Sequence, residues 1–312
     1  MGAFHEGERA LQLRAGVDPR RSEAAARAIR DHMPDQHREF FALLPFLLVG
    51  SVDAQGQPWA SVLTGAPGFA ASPDPRHLDV RARPRPDEPL SRHLRPGAAL
   101  GLLGIQPHTR RRNRMNGRVE HVDERGFRVR VDQSFGNCPK YIQAREARHI
   151  PGAPAAAPIE SMDVLDAHSQ DLVRRADTFF IATAHPRLQD SASPGHGADV
   201  SHRGGRPGFV RVDAGRVLTF PDFTGNSFFN TLGNLLLEPR CGLLFIDFER
   251  GDTLQVSARA QIVGAGAELE AYRGALRLVK LEVLAARRAA AALPLRWGPA
   301  EPSPVLEATG TW

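Results

Sequence analysis

The 312-residue sequence predicts a mainly β protein with flanking helices, built as two tandem copies of one barrel-like unit. Matched blocks carry that prediction. Pro67-Gly68-Phe69 recurs as Pro207-Gly208-Phe209, an offset of 140, and Gly101-Leu102-Leu103-Gly104-Ile105 recurs as Gly242-Leu243-Leu244-Phe245-Ile246, an offset of 141. Shortly after the second block each copy enters a small-residue strand, Met115-Asn116-Gly117-Arg118-Val119 against Val256-Ser257-Ala258-Arg259-Ala260. A period this long is domain duplication, not a short solenoid repeat. Two copies of one fold can pack as a pseudo-symmetric pair and share a site along the seam. The second observation is the spacing of short apolar runs between turn residues, which suits a closed or nearly closed β-barrel.

The elements follow in order. Residues 20–41 read as a helix, with Ala24, Ala25, Ala28, Ile29 and Met33 at helical spacing and Pro34 marking a break. The first copy opens with strands at 44–52 and 58–64 around Asp53-Ala54-Gln55-Gly56, a hairpin signal. Strands at 78–81, 100–105, 112–122 and 126–131 complete a set of six. The Pro- and Ala-rich stretch 150–159 reads as a linker and 163–175 as a helix. Second-copy strands are expected at 178–183, 208–212, 217–220, 241–248 and 253–263, with an insertion at 186–197 lengthening one hairpin loop. Ala content and helical spacing predict a long closing helix over 268–292, and 294–312 reads as a surface tail. The expected domains are an N-terminal helical segment 1–42, a first copy 43–150, a linker 151–162, a second copy 163–264 and a C-terminal helix and tail 265–312.

Composition bounds the function. Hydrophobic content of 42% and charge of 24% are those of a soluble globular protein, and no apolar run is long enough for a membrane span. Residues 1–8 lack the pattern of a signal peptide, and Cys138 and Cys241 lie in different copies with no implied disulfide, so the expected location is cytoplasmic. The net charge is +5, yet Lys140 and Lys280 are the only lysines and arginine is scattered, apart from Arg110-Arg111-Arg112-Asn113-Arg114. A nucleic-acid binder concentrates its charge in a stripe with aromatic or helical readers, so neither nucleic acid nor membrane is an expected partner.

Four stretches hold polar residues where a pure core would exclude them. In Asp199-Val200-Ser201-His202-Arg203-Gly204-Gly205, glycines beside His202 and Arg203 allow close backbone approach while a cation meets an anion. The stretch Phe220 to Leu235, with Asp222, Gly225, Asn226, Ser227, Asn230 and Thr231, leads into a helix and suits a phosphate. In Leu254-Gln255-Val256-Ser257 the Gln255 amide could reach a ring edge. Ser134 to Ile142 contains Cys138, Lys140 and Tyr141. Each also has a plainer reading: Asn226, Ser227, Asn230 and Thr231 as caps and turn formers, His202 and Arg203 as a solvated turn, Arg110 to Arg114 as a defended edge. No nucleophile elbow, Cys-x-x-Cys, His-Glu-x-x-His, Walker loop or Rossmann fingerprint competes.

These runs, together with Gln36-His37-Arg38-Glu39-Phe40-Phe41, Asp53 to Gly65, Thr109 to Gly117 and Gly136 to Tyr141, resemble the pyridoxamine 5'-phosphate oxidase-like, FMN-binding split-barrel family in its tandem form. The resemblance spans roughly residues 35–264. It implies two tandem six-stranded split β-barrels packed as an intrachain pseudo-dimer, with FMN between them and an oxidoreductase acting on a small molecule with an electron donor or acceptor. By position, the resemblance assigns cofactor binding to Asp222, Asn226 and Ser227, with Asn230 and Thr231 at a family Arg-Lys pair and Gln255 touching the ring. Asn230 and Thr231 are neutral, so Arg203, or a first-copy arginine such as Arg112 or Arg114, supplies the charge, and His202 completes the expected cofactor-binding set. Cys138, Lys140 and Tyr141 are substrate-proximal candidates. No metal site and no catalytic acid or base is expected. The loop 83–95 of the first copy lacks the Gly-Asn-Ser pattern, so one site per chain is expected. A non-catalytic flavin- or heme-binding protein and a relative binding the deazaflavin F420 are the alternatives on this fold, and further homodimerisation stays open.

Overall fold

The computed structural model describes residues 2–152, 157–190 and 193–312. The Pro- and Ala-rich linker expected over 150–159 and the insertion 186–197 therefore lie partly outside the described residues.

The first copy contains β1 (Phe46–Val52), β2 (Pro58–Thr64), β3 (Ala70–Asp74), β4 (His77–Val80), β5 (Ala99–Gln106), β6 (Arg111–Val122) and β7 (Phe127–Gly136). The second contains β8 (Thr178–Ala184), β9 (Ala198–Gly204), β10 (Arg211–Asp213), β11 (Val217–Asp222), β12 (Arg240–Ile246), β13 (Thr253–Val263) and β14 (Arg277–Ala289). The first sheet runs β2-β1-β5-β6-β7-β4-β3 and the second β9-β8-β12-β13-β14-β11-β10, so each strand has its counterpart seven strands later. All these pairings are antiparallel, along an open path that does not close into a barrel. The duplication read from the repeats is thus a duplication of topology, with seven strands per path where six were expected. Glu160–Met162 adds an edge pairing to β14, and Ala147–His149 forms a ribbon with Leu295–Trp297.

Among the described residues seven α-helices flank the sheets: α1 (Glu6–Arg14), α2 (Pro19–Ala26), α3 (Asp35–Ala42), α4 (Pro89–His93), α5 (Ala167–Arg175), α6 (Asn230–Leu237) and α7 (Ala267–Glu270). The expected helix at 20–41 is two helices, because Arg30 leaves the helical path to bridge Ser134. The expected closing helix at 268–292 is overturned: only α7 is helical there, and β14 pairs with both β13 and β11. Val279, Leu281 and Val283 are buried while Glu282 and Leu284 are exposed, a period-two burial that tertiary pairing imposes on a sequence rich in good helix formers. The second sheet therefore extends past the expected boundary at 264. The strand expected at 208–212 is confined to Arg211–Asp213, and Asp199 to Gly204, to which no strand was assigned, lies in strand β9.

Each sheet has its own core. A third apolar cluster joins the copies, with Phe46, Leu48, Leu103 and Ile105 of the first packed with Phe180, Val200, Leu244 and Ile246 of the second. The repeated glycines explain the close seam. A Cβ on Gly101 would lie 2.6 Å from Asp199 Cα, and one on Gly242 would lie 2.3 Å from the Pro58 carbonyl oxygen. Gly242→Ala is therefore expected to destabilise the chain by about 1–3 kcal/mol, read as a lower urea midpoint, because the backbones must part. An unchanged midpoint would show that the seam yields freely. No helix among the described residues is long and apolar enough to cross a membrane.

Candidate functional site

The seam opens into one cleft in which residues from both copies meet. The second copy supplies Ser201, His202 and Arg203 on β9, Asp222 at the end of β11, the loop that follows, and Asn230 and Thr231 on the first turn of α6. The first copy supplies Arg112 and Arg114 on β6 and Cys138, Lys140 and Tyr141 just after β7. Strand pleating explains the alternation: Arg112 and Arg114 are two apart and share a face.

One cross-copy network forms the floor. Arg114 Nη2 donates to Ser201 Oγ at 2.6 Å, Thr231 Oγ1 donates to the same oxygen at 2.9 Å, and Arg114 is ion-paired with buried Asp199. Arg277, in the segment expected to be helical, donates from Nη1 to Asp222 Oδ2 at 3.1 Å. Burial raises the Asp222 carboxyl above its ordinary range, against the pull of Arg203 and Arg277.

Arg112 and Arg203 differ from those two arginines. Neither forms an ion pair among the described residues. Arg112 donates from Nε to the Cys138 carbonyl at 2.7 Å and from Nη1 to the His202 carbonyl at 3.4 Å, and Arg203 Nε is buried without a protein partner. Burial first and the Arg203 charge second push the Arg112 guanidinium down to about 9, and burial also lowers Arg203. His202 is held well below its ordinary value by burial and then by Arg112 and Arg203, so it is neutral at physiological pH. The wall thus carries two arginines that form no ion pair among the described residues, Arg203 having only the longer-range attraction of Asp222 and Asp199. An anionic ligand would supply that pairing.

The loop between β11 and α6 is conformationally forced. Ser227 and Phe229 adopt φ of 62° and 61°, and Tyr141 across the cleft adopts 65°. Non-glycine residues in this region cost on the order of 1 kcal/mol or more and persist where the surroundings demand them. Asn226 Oδ1 accepts from the Phe228 amide, and Tyr141 stacks on Phe223 at 5.1 Å while its hydroxyl donates to the Thr224 carbonyl. The first copy therefore clamps the loop of the second.

Of the residues expected at the site, His202, Arg203, Asp222, Asn226, Ser227, Asn230, Thr231, Arg112, Arg114, Cys138, Lys140 and Tyr141 all line this cleft. Gln255 does not. It is buried elsewhere in the seam, donating from Nε2 to the Ala60 carbonyl at 2.9 Å, to Ser61 Oγ at 3.2 Å and to Glu88 Oε2 at 3.1 Å. Its place on β13 turns it toward β2 of the first copy, away from the loop before α6. The α6 N-terminus differs from expectation as well: the Asn230 amide donates to Glu8 Oε1 at 2.5 Å, so α1 covers the end read as a phosphate seat. Gln12, Ala15 and Val17 of the same N-terminal region reach the cleft loop, with Gln12 Nε2 donating to the Ser227 carbonyl. No local pattern announced this contact across more than two hundred positions.

Residues 33–156 match the family model described as Pyridoxamine 5'-phosphate oxidase. Among solved structures, a putative pyridoxamine 5'-phosphate oxidase from Lactobacillus delbrueckii is 14% identical, covering 40% of this chain and 94% of its own, with a TM-score of 0.31. An FAD-binding protein from Mesorhizobium loti is 12% identical, covering 42% and 97%, with a TM-score of 0.28. The heme storage protein HutZ from Vibrio cholerae is 13% identical, covering 38% and 90%, with a TM-score of 0.26. No match was found among curated proteins.

Proposed function

We propose, on the premise that residues 33–156 belong to the pyridoxamine 5'-phosphate oxidase family, that the chain is an FMN-dependent oxidoreductase with one cofactor site at the seam. The observation that carries the reading is the pair Arg112 and Arg203, two arginines that form no ion pair among the described residues and face one cleft. FMN brings a phosphate that is largely dianionic at neutral pH, the charge this wall lacks.

The residues fit the group. Arg203, with its unpartnered Nε, and Arg112 would hold the phosphate, and Asn226 and Ser227 on the clamped loop would border it. Arg114 is committed to Ser201 and Asp199, so its role is to tie the two walls together and fix the width of the cleft. Neutral His202 adds a polar edge without further positive charge. Tyr141 and Phe223 form an aromatic rim, where an apolar substrate face could be excluded from water beside Lys140. When bound, FMN supplies hydride or electron transfer, and the protein sets its position and potential.

The test is the absorption spectrum of the freshly purified chain, followed by mass analysis of what heat releases. FMN near one per chain is the expected result. Released heme or F420 would favour the corresponding binding-protein reading. A colourless protein that does not take up added FMN would overturn the flavoenzyme reading.

A further inference from the structure

The internal two-fold relation predicts a counterpart to the open cleft, and the register locates it. Ser61 pairs with Val49, which pairs with Leu102; Ser201 pairs with Ile181, which pairs with Leu243. Leu102 and Leu243 are the same position of the repeated block, so Ser61 and Ser201 are counterparts. Likewise Arg114 pairs with Leu103 and Gln255 with Leu244, which makes Arg114 and Gln255 counterparts. The cross-copy contacts obey the relation: Arg114 of the first copy donates to Ser201 of the second, and Gln255 of the second donates to Ser61 of the first.

What lies beyond the serine differs. In the open cleft Ser201 meets Thr231 of α6. At the counterpart, Ser61 Oγ donates to Glu88 Oε2 at 3.4 Å, and Gln255 Nε2 donates to the same oxygen at 3.1 Å. Two arginines attract that carboxylate. Arg287, the register partner of Gln255 on β14, donates to the Asp87 carbonyl at 2.6 Å. Arg85 is paired with the Asp87 carboxylate, yet its Nη1 is buried without a partner. An amide and a hydroxyl thus hydrogen-bond one side-chain carboxylate, which the loop after β4 delivers to the seam, and two guanidinium groups attract it from beyond ion-pair distance.

We propose that this counterpart is a second anion site, suited to a small carboxylate, whose occupant is the chain's own Glu88 side chain. The donors belong to β2, β13, β14 and the loop, and remain when the glutamate is shortened. Glu88→Ala removes a group of about the size of acetate, taking away one of the three acceptors of the Gln255 amide and the acceptor of the Ser61 hydroxyl. Free acetate then replaces what the chain carried covalently.

The experiment is thermal unfolding of the full chain, wild type and Glu88→Ala, in sodium acetate against sodium chloride of equal ionic strength. In chloride the variant is expected to melt several degrees below wild type. Acetate is expected to restore at least half of that difference with a saturable dose response, as ligand linkage requires, and to leave wild type unshifted. Acetate acting no better than chloride on the variant, or equally on wild type, would overturn the proposal. If the variant does not fold in chloride, refolding in acetate decides: recovery supports the site, and failure in both salts overturns it. Bound flavin is read by absorbance in the same samples and is expected to be unchanged by Glu88→Ala. Absence of flavin from wild type would count against the cofactor reading alone, since the acetate response does not depend on it.

Discussion

Arg112→Met is expected to weaken FMN binding by about 10- to 100-fold while leaving the ligand-free fold as stable as wild type or more so. The two signs share one cause. Charge-assisted hydrogen bonds to phosphate contribute about 1.5–3 kcal/mol, which converts to that range in Kd. In the absence of an anion the same guanidinium is desolvated and faces Arg203, which is why it is pushed down to about 9. Replacing a buried cation by an apolar side chain of similar length is commonly neutral or stabilising. Fluorescence titration with FMN and urea unfolding of the apo chain measure the two effects. Riboflavin, which lacks the phosphate, should bind both proteins alike. Equal loss for riboflavin would mean that Arg112 shapes the cleft rather than meeting the phosphate.

The second large effect concerns Glu8. Burial beneath α6 raises its carboxyl from 4.5 to about 8, against hydrogen bonds from the His5 amide and Asn230. Between those values the folded chain holds a proton that the unfolded chain has released, so stability falls as pH rises from about 4.5 to 8. Burial raises Glu88 and Asp222 too, and they add to the same slope. The histidines act oppositely. Burial lowers His5 and His37 from 6.5 to about 4, and lowers His185 and His202, so the unfolded chain binds more protons there and stability rises toward 6.5. A stability maximum near pH 6.5 is the expected outcome. Glu8→Gln should reduce the decline on the alkaline side by on the order of 2–4 kcal/mol at pH 8 and above. Urea midpoints for both proteins from pH 5 to 9 check it; parallel curves above pH 6.5 would show that Glu8 is ionised in the fold.

Much of this is legible in the sequence. The repeated Gly101 and Gly242 marked positions where backbone packs against the other copy, and the register places them as counterparts. The site was legible where chemistry sits in short runs: Ser201 to Arg203, Asp222 to Thr231, and Cys138 to Tyr141 all reach the cleft. Gln255 was misread because its strand position says only that it faces the seam, and the seam has two counterpart places. Arg277 is hidden because Leu278, Leu281 and Ala285 fit a helical spacing as well as Val279, Leu281 and Val283 fit an alternating one.

The sequence by itself determined the duplication, the mainly β class, the strand hairpins and the residue types gathered at the seam. These follow from local propensity, turn chemistry and periodic burial, which short windows record. Only the tertiary structure decided that 277–289 is a strand, that α1 covers the start of α6, and that one of two counterpart places is open while Glu88 fills the other. Those outcomes depend on contacts between residues far apart in the chain, where the partner of a buried polar group is set by packing across the seam and leaves no pattern in either segment alone.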